Sequence, residues 1–457
     1  MTGKRKRKLA MPDTLIIVAS VVLLVAILSW IIPSGTYDYQ EMNINGRIRN
    51  VAIDGTYHTI DKSEVTTTGF LGFFSVLYRG CVEAADVIFM ILCCCGTFGV
   101  VVKTGAFHAG IGTILKKLKG KEILLVPIIM MIFGLGGSVF GMASEFYGFY
   151  PLIVGLGVAL GYDAMFGFAI IAVGEFVGFM GATLNPYSVG IAQTISGVEL
   201  YSGTGYRAIC FVIFMAISII YVMVYGRKIK KNPGASVVFG EKNIHAFDRD
   251  ELNEYSFTLK DGLVLLDVLV VLVVLMLGLI KWGWDFPQLC GLFLLMSMIA
   301  AAICKWSPNK WCSEFIDSAK TAMWGCILTG IAKAITVVMQ DAQIMDTVIY
   351  GLSNVLKNAP HAVSAQVMLV VQTLINFFIP SATGQASATM PIMAQLADII
   401  GVSRQTAVLA FQFGDGLSNI FWPTADIVII CGLGGISLQK WYKWFTPLFL
   451  ILFVTQA

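Results

Sequence analysis

The stretches Ser138-Val139-Phe140-Gly141-Met142-Ala143-Ser144 and Ser381-Ala382-Thr383-Gly384-Gln385-Ala386-Ser387 share the pattern S-x-x-G-x-A-S, at an offset of 243 residues. Behind each copy the same residue types recur in the same order, ending in Gly174-Glu175 and Gly414-Asp415. Small residues also serve helix packing in membranes, so a single match is weak evidence. A shared order and spacing predicts that the chain contains two related halves.

The composition places these halves in a lipid bilayer. Of 457 residues, 57% are hydrophobic and only 13% are charged, which leaves too little polar surface for a water-soluble domain. Apolar stretches such as 14–32, 208–225 and 264–280 are long enough to cross a bilayer as helices, and a further span is predicted over 82–102. The ten cysteines, three of them consecutive in an apolar segment, indicate neither a disulfide framework nor a metal site.

The distribution of basic residues predicts the orientation of the helices. Lysine and arginine gather at residues 4–8, 116–121 and 227–231, so these segments should be cytoplasmic, whereas the polar segment 34–68 should lie on the other side. Counting the crossings gives an extra span between the halves, so the second half should be inverted relative to the first. The predicted division is a first repeat (1–226) with a hairpin (122–160) and a broken helix (164–198), a cytoplasmic linker (227–260), a connecting span (261–283), and a second repeat (284–457) with a hairpin (363–400) and a broken helix (405–435).

Helix-breaking residues indicate the hairpins and the broken helices. Gly136-Gly137-Ser138 and Pro380-Ser381-Ala382 interrupt apolar segments, and prolines interrupt the helices that follow the paired acids. Unpaired backbone groups cannot face lipid, so they should line a cavity that holds water or substrate. The fold class predicted is therefore an all-α polytopic membrane protein with two inverted repeats, each holding a re-entrant helical hairpin and a discontinuous helix around one central site.

Acids are the unusual side chains near this site. Glu175 and Asp415 lie in otherwise apolar helices, Glu145 follows the first hairpin tip, and Lys333 is the nearest intramembrane base, with no arginine predicted at the tips or breaks. Such a cavity should attract cations, which favours a cationic amino acid whose carboxylate meets helix N-termini. Two alternatives stay open: the acids bond neighbouring helix ends or bind a proton or sodium ion, and the substrate is a dicarboxylate.

The predicted site consists of these acids and the small polar residues at the tips and breaks. The substrate-binding set is Glu145, Glu175, Asp415, Ser138, Ser144, Asn185, Ser381, Thr383, Ser387, Asn419 and Thr424. The hairpin and break positions that depend on glycine or proline are Gly141, Gly384, Pro186 and Pro423. Each hydroxyl or amide could instead cap a half-helix. We predict no catalytic residues, no metal ligands and no cofactor.

At these residues the sequence resembles a known family. The stretches 378–386 and 403–416, together with Gly161-Tyr162-Asp163, Asn185-Pro186-Tyr187 and Ala192-Gln193, are similar to the YfcC-type basic amino acid antiporters of the ion transporter superfamily, over nearly the whole chain. The resemblance implies a homodimer, an elevator-like movement of the hairpins and broken helices, and substrates such as arginine and ornithine. Related members carry four-carbon dicarboxylates, and no complete sodium site can be matched.

Other classes of protein fit the sequence less well. The histidines at 58, 108, 245 and 361 are scattered and form no pattern for hydrolysis, and no phosphate-binding loop of an ATP-driven pump is present. A channel would also have broken helices, and saturable exchange distinguishes a carrier from it. We therefore expect a multi-pass secondary transporter in a bacterial inner (cytoplasmic) membrane, with a cytoplasmic N-terminus and no nucleic-acid partner.

Overall fold

A computed structural model describes residues 13–44, 47–118, 122–241, 245, 256–357, 360 and 363–457. The basic cluster at residues 4–8 and part of the one at 116–121 lie outside these ranges. Helices of the first half are α1 (Thr14–Ile31), α2 (Phe70–Glu83), α3 (Ala85–Lys103), α4 (Ala106–Leu118), α5 (Leu125–Leu135), α6 (Phe149–Ala159), α7 (Ala164–Met180), α8 (Val189–Ile195) and α9 (Thr204–Lys231). They are followed by α10 (Leu259–Lys281).

The second half has helices in a similar order. They are α11 (Phe286–Ile303), α12 (Pro308–Lys320), α13 (Met323–Asp341), α14 (Met345–Lys357), α15 (Ser364–Phe378), α16 (Ala382–Ile399), α17 (Arg404–Ser418), α18 (Asp426–Gly434) and α19 (Leu438–Gln456). Single helical turns occur at Lys62–Glu64, Glu122–Leu124, Gly136–Phe140, Ser144–Phe146 and Pro233–Ala235. The chain is therefore mostly helical.

Six of the described helices are long and apolar enough to cross a membrane. Their spans are Thr14–Ile31, Ala85–Lys103, Thr204–Lys231, Leu259–Leu279, Phe286–Ile303 and Met323–Asp341. By contrast, α7 is shorter, and all of its residues are buried inside the protein. Helices with exposed apolar faces thus surround α7, which is enclosed on every side.

The segment before α2 corrects the all-α prediction, because it contains four short antiparallel strands. Strand β1 (Ser34–Thr36) pairs with β4 (His58–Ile60), and β2 (Tyr39–Ile44) pairs with β3 (Arg47–Ala52). The carboxylate of Asp346, in α14, holds this segment by accepting hydrogen bonds from the Tyr37 backbone N–H (3.0 Å) and the Tyr39 hydroxyl (2.8 Å). Burial, followed by the charge of Asp346, raises the pKa of Tyr39. The polar composition of residues 34–68 does not distinguish short strands from an irregular loop.

The first span after this segment also differs from its predicted bounds. A span over 82–102 was predicted, whereas the structure has α2 up to Glu83 and a new helix, α3, that starts at Ala85. The equivalent break in the second half is at Thr321-Ala322, between α12 and α13. The chain leaves the helix for one residue at Ala84 and for two residues at Thr321-Ala322, so each half has a kinked pair of helices.

These kinked pairs pack reciprocally. Helices α1 and α2 pack on α13 of the other half, while α11 and α12 pack on α3. The α2–α13 contact depends on Gly80, since a Cβ there would lie 2.4 Å from the Gly330 carbonyl oxygen. On the other side, a Cβ at Gly99 would lie 2.1 Å from the Ser318 Cβ. Small residues therefore let the helices of the two halves approach closely.

The segment between the halves begins with the end of a helix. Helix α9 continues to Lys231, five residues into the predicted linker 227–260, because its last turn is rich in lysines that suit a helix C-terminus. Helix α10 starts at Leu259, where Thr258 and Asp261 form a capping box. Most of residues 242–255 lie outside the described ranges.

Candidate functional site

The first S-x-x-G-x-A-S copy contacts the point where the following helix ends. Helices α5 and α6 both pack on α7, and the turn that joins them places the Ser138 carbonyl oxygen 2.9 Å from the backbone nitrogen of Thr183. The Ser138 hydroxyl also bonds the Gly181 carbonyl oxygen (3.1 Å) and the Thr183 hydroxyl (3.1 Å). Gly141 has φ +68°, and a Cβ there would lie 2.3 Å from Asn185 Oδ1. These contacts join the turn to the 181–188 break.

The second copy lies in a network of buried amides. Helices α15 and α16 both pack on α17, and the Nδ2 of Asn376 in α15 donates to Asp415 Oδ1 (2.8 Å), Gln385 Oε1 (3.2 Å) and Asn419 Oδ1 (3.3 Å). The Gln385 amide in turn donates to Gln372 Oε1 (2.7 Å). A buried amide network of this kind fixes the relative positions of the three helices.

Each half also contacts the helix break of the other. The Tyr147 hydroxyl, from the first half, donates to Asp426 Oδ1 (2.7 Å) at the start of α18. The Thr383 hydroxyl, from the second half, donates to the Tyr187 carbonyl oxygen (2.9 Å) in the 181–188 break. Between them, Gln412 Nε2 donates to the Phe179 carbonyl oxygen (2.7 Å). The two S-x-x-G-x-A-S segments (138–144, the first tip, and 381–387, the second tip) and the two breaks (181–188 and 419–425) therefore meet around the contact between α7 and α17.

A cavity of about 530 Å³ lies beside this meeting point. Its walls are the second tip, the 419–425 break before α18, the Ser144–Tyr147 segment of the first half, the α2–α3 junction, and one face of α13. The α13 face consists of Thr329, Ala332, Lys333, Thr336 and Gln340. The charged side chains of the lining are Glu83, Lys333 and Asp426. The volume is in the range of small-molecule sites, and the lining combines both signs of charge.

The cavity brings together only part of the predicted substrate-binding set. Ser144, Ser381 and Thr424 line it, together with Gly384. Ser381 also caps α16 by accepting from the Gly384 N–H (3.3 Å), whereas the hydroxyl of Thr424 has no hydrogen-bond partner among the described residues. Thr424 is thus a buried polar group in the lining that is free to bond a solute.

The predicted acids lie behind the lining. Glu175 and Asp415 have no exposed surface, and neither lines the cavity. Glu175 Oε2 accepts from the Tyr150 hydroxyl (2.8 Å), and its Oε1 has no partner among the described residues. Asp415 Oδ2 is likewise unpartnered, while Glu145 accepts from the Ala143 N–H (3.0 Å). None of these three acids is therefore part of the cavity lining.

The remaining predicted residues shape the tips and breaks. Asn185 Oδ1 accepts from the backbone of Tyr187 (2.9 Å) and Ser188 (3.2 Å), and the Ser387 hydroxyl donates to the Thr383 carbonyl oxygen (2.9 Å). Ser138, Asn185, Thr383, Ser387 and Asn419 are not part of the cavity lining. Of the other glycine and proline positions, Gly141 and Pro423 are not in the lining either, and Pro186 lines a separate crevice.

The sequence missed two side chains that hold the breaks. Arg207 is almost fully buried in α9 and donates to the Thr183 carbonyl oxygen (3.3 Å), which corrects the expectation that no arginine reaches a break. At the corresponding place in the second half, Trp441 donates to the Ile420 carbonyl oxygen (2.8 Å). Arg207 follows a polar loop closely, so its position resembles that of an ordinary membrane-surface charge.

Comparison with known proteins identifies the class. The family model described as DcuC, C4-dicarboxylate anaerobic carrier, matches residues 11–457, so the chain belongs to the DcuC family. The chain is 32% identical over 491 residues to a proposed basic amino acid antiporter, YfcC, of Escherichia coli K12, covering 100% of this chain and 96% of the relative. It is 27% identical over 488 residues to an uncharacterized protein of Haemophilus influenzae, covering 98% and 95%. The protein is thus a secondary transporter of the membrane and not an enzyme.

Solved transporter structures also match over nearly the full length. The efflux pump MtrF of Neisseria gonorrhoeae aligns with a TM-score of 0.44 at 15% identity, covering 98% of this chain and 95% of MtrF. The YdaH transporter of Alcanivorax borkumensis aligns with a TM-score of 0.41 at 14% identity, covering 97% of both chains.

Proposed function

We propose that the protein exchanges basic amino acids such as arginine and ornithine across the bacterial inner membrane. The observation that supports this best is the charge of the cavity, which presents two acids, Glu83 and Asp426, and one base, Lys333. Arginine carries two positive groups and one negative group, so every charge of the solute has a partner of opposite sign. Charged groups in a low-dielectric site are stable only when they are paired in this way.

A four-carbon dicarboxylate is the second candidate, because the family is described by that substrate and Lys333 could bind one carboxylate. The Ser381 cap of α16 adds a helix N-terminus beside the cavity, and such ends favour anions. However, a solute with two negative charges would face two acids and a single base. Two like charges 4 Å apart repel each other by roughly 4 kcal/mol at an effective dielectric of 20. The charge of the cavity therefore favours the cationic solute.

We further propose that the two halves are inverted repeats, with hairpins at 122–160 and 363–400 and broken helices at 164–198 and 405–435. The duplicated motif, the recurring order of helices and the reciprocal packing support this proposal. An elevator-like movement of these parts, a homodimeric assembly and a cytoplasmic N-terminus are also proposals, supported by the family resemblance and by the distribution of basic residues. Cysteine labelling from each side of the membrane tests the orientation.

The substrate is tested with purified protein in liposomes. Liposomes loaded with ornithine should accumulate labelled arginine, and unlabelled lysine should compete while succinate should not. A carrier should take up more arginine when ornithine is inside, whereas a channel would admit arginine into empty liposomes equally well. Glu83→Gln should weaken arginine uptake, and Asp317→Asn, at an exposed acid paired with Lys320, is the matched control. Uptake of labelled succinate that arginine does not reduce would instead support the dicarboxylate substrate.

A further inference from the structure

Asp426 differs from the other buried acids of the core in its access to the cavity. It is the first residue of α18, directly behind the 419–425 break, and it lines the cavity. Glu175 and Asp415 have no exposed surface, so a solute in the cavity cannot reach either of them. Asp426 nevertheless lies within electrostatic range of both. A change of charge on Asp426 is therefore felt by the two enclosed acids.

We propose that Asp426 binds either a proton or the cationic group of the substrate, one at a time, so that uptake of the cationic solute drives protons in the opposite direction. This inference rests on the proposed function. When the ammonium or guanidinium group of the solute bonds an Asp426 carboxylate oxygen, the proton on that oxygen leaves to water on the side that the cavity faces. When the solute leaves, a proton takes its place, and no covalent bond other than O–H changes.

The reason for this competition is the cost of an isolated charge. An ionised carboxylate without a cation is unfavourable in a cavity enclosed by membrane helices, and enclosed acids nearby increase that cost. A proton and a cationic solute both remove it. The Tyr147 hydroxyl, which donates to Asp426 Oδ1 at 2.7 Å, stabilises the ionised form and so favours the solute over the proton.

The neighbouring elements place several other titratable groups around Asp426. These are Glu83 at the α2–α3 junction, Glu145 and Tyr147 before α6, Tyr150 in α6, Glu175 in α7, Lys333 in α13, Asp415 in α17 and Tyr442 in α19. Tyr442 donates to the Phe421 carbonyl oxygen (2.7 Å) and Tyr150 to Glu175, so neither hydroxyl hydrogen bonds to Asp426. Among the described residues, Tyr147 is thus the hydroxyl whose loss acts directly on the Asp426 carboxylate.

The experiment follows protons and solute together. Protein is reconstituted in liposomes that contain ornithine or the pH-sensitive dye pyranine. Adding arginine outside should make the interior more alkaline in the wild type, and an acidic interior should increase arginine accumulation. Asp426→Asn should abolish both effects. Arginine–ornithine exchange in ornithine-loaded liposomes, together with no alkalinisation when arginine is added to ornithine-free liposomes that contain the dye, would overturn the inference but leave the proposed function intact, whereas absence of exchange would overturn the proposed function.

A second pair of variants removes the ambiguity of a folding defect. Tyr147→Phe deletes the donor to Asp426, so the proton should compete at higher pH, and the midpoint of the uptake–pH curve should rise by about one pH unit. Tyr150→Phe is the matched control, since it deletes an equivalent hydroxyl from the enclosed Glu175, and its midpoint should equal that of the wild type. An unchanged midpoint in Tyr147→Phe, or an equal shift in both variants, would overturn the inference.

Discussion

Lys333 offers the sharpest test of how the cavity recognises its solute. It lies on the α13 face that lines the cavity, between Thr329 and Thr336, and its side chain has no ion pair or hydrogen bond among the described residues. Lys333→Met keeps the length of the side chain and removes its charge. If Lys333 binds the carboxylate of an amino acid, the variant should lose affinity only for solutes that have that carboxylate.

The size of the loss follows from the kind of bond. A hydrogen bond between charged groups contributes about 1.5–3 kcal/mol, which corresponds to a loss of affinity of roughly 10-fold to 150-fold. Half-buried in the cavity wall, Lys333 should be in the upper part of that range, because solvent screens its charge less than that of a surface lysine.

The assay compares arginine with agmatine, which is arginine without its carboxylate. Competition by each solute against labelled arginine, in ornithine-loaded liposomes, gives two apparent affinities for each variant. In Lys333→Met, the apparent affinity for arginine should fall as calculated, and the apparent affinity for agmatine should be unchanged. Lys320→Met, at an exposed lysine paired with Asp317, should change neither value. An equal loss for arginine and agmatine would refute a carboxylate-binding role for Lys333.

Other contacts lead to predictions about stability. Ser138→Ala removes buried hydrogen bonds between the first tip and the 181–188 break, so the protein should lose about 1–3 kcal/mol of stability and unfold at a lower temperature in detergent. Ser387→Ala loses one hydrogen bond within α16 and should lower the unfolding temperature less. Equal midpoints would contradict the importance of that contact. Gly178→Ala should greatly reduce the yield of folded protein, because its Cβ would lie 2.1 Å from the Gly134 carbonyl oxygen. Gly205→Ala is the control, since nothing lies within 4 Å of its Cβ, and a normal yield of both variants would show that α5 can move away. Asp346→Ala should make the strands β1–β4 more sensitive to limited proteolysis than Asp54→Ala, and identical digestion patterns would argue against anchoring by Asp346.

The membrane class and the family could be predicted from the sequence, because both depend on features that survive without coordinates. Apolar length and the scarcity of charge define the membrane helices, and the residues around 378–386 and 403–416 define the family. The kink at Ala84 could not be predicted in this way, since an apolar run gives no sign of where one helix ends and another begins. The strands in 34–60 were missed because their hydrogen bonds are to each other and to distant residues such as Asp346.

The composition of the cavity lining was harder to predict than its surroundings. Motifs and acids in the sequence draw attention to Glu175 and Asp415, but only their burial in three dimensions shows that hydroxyl and amide groups enclose them. Glu83 and Lys333 come from segments without any motif, and they share a cavity because α2 packs on α13. The charge of a site between distant helices therefore depends on packing that no local pattern encodes.

The reciprocal contacts of α3 and α13 have a consequence for biosynthesis. Helix α3 leaves the ribosome long before α11 and α12, on which it packs, have been made, so its apolar face must meet lipid or the insertion machinery in the meantime. Each half supplies the missing neighbours of the other. Two fragments expressed from separate genes, divided within residues 242–255, should accumulate only when both are produced in the same cell, because neither alone can cover its own interior.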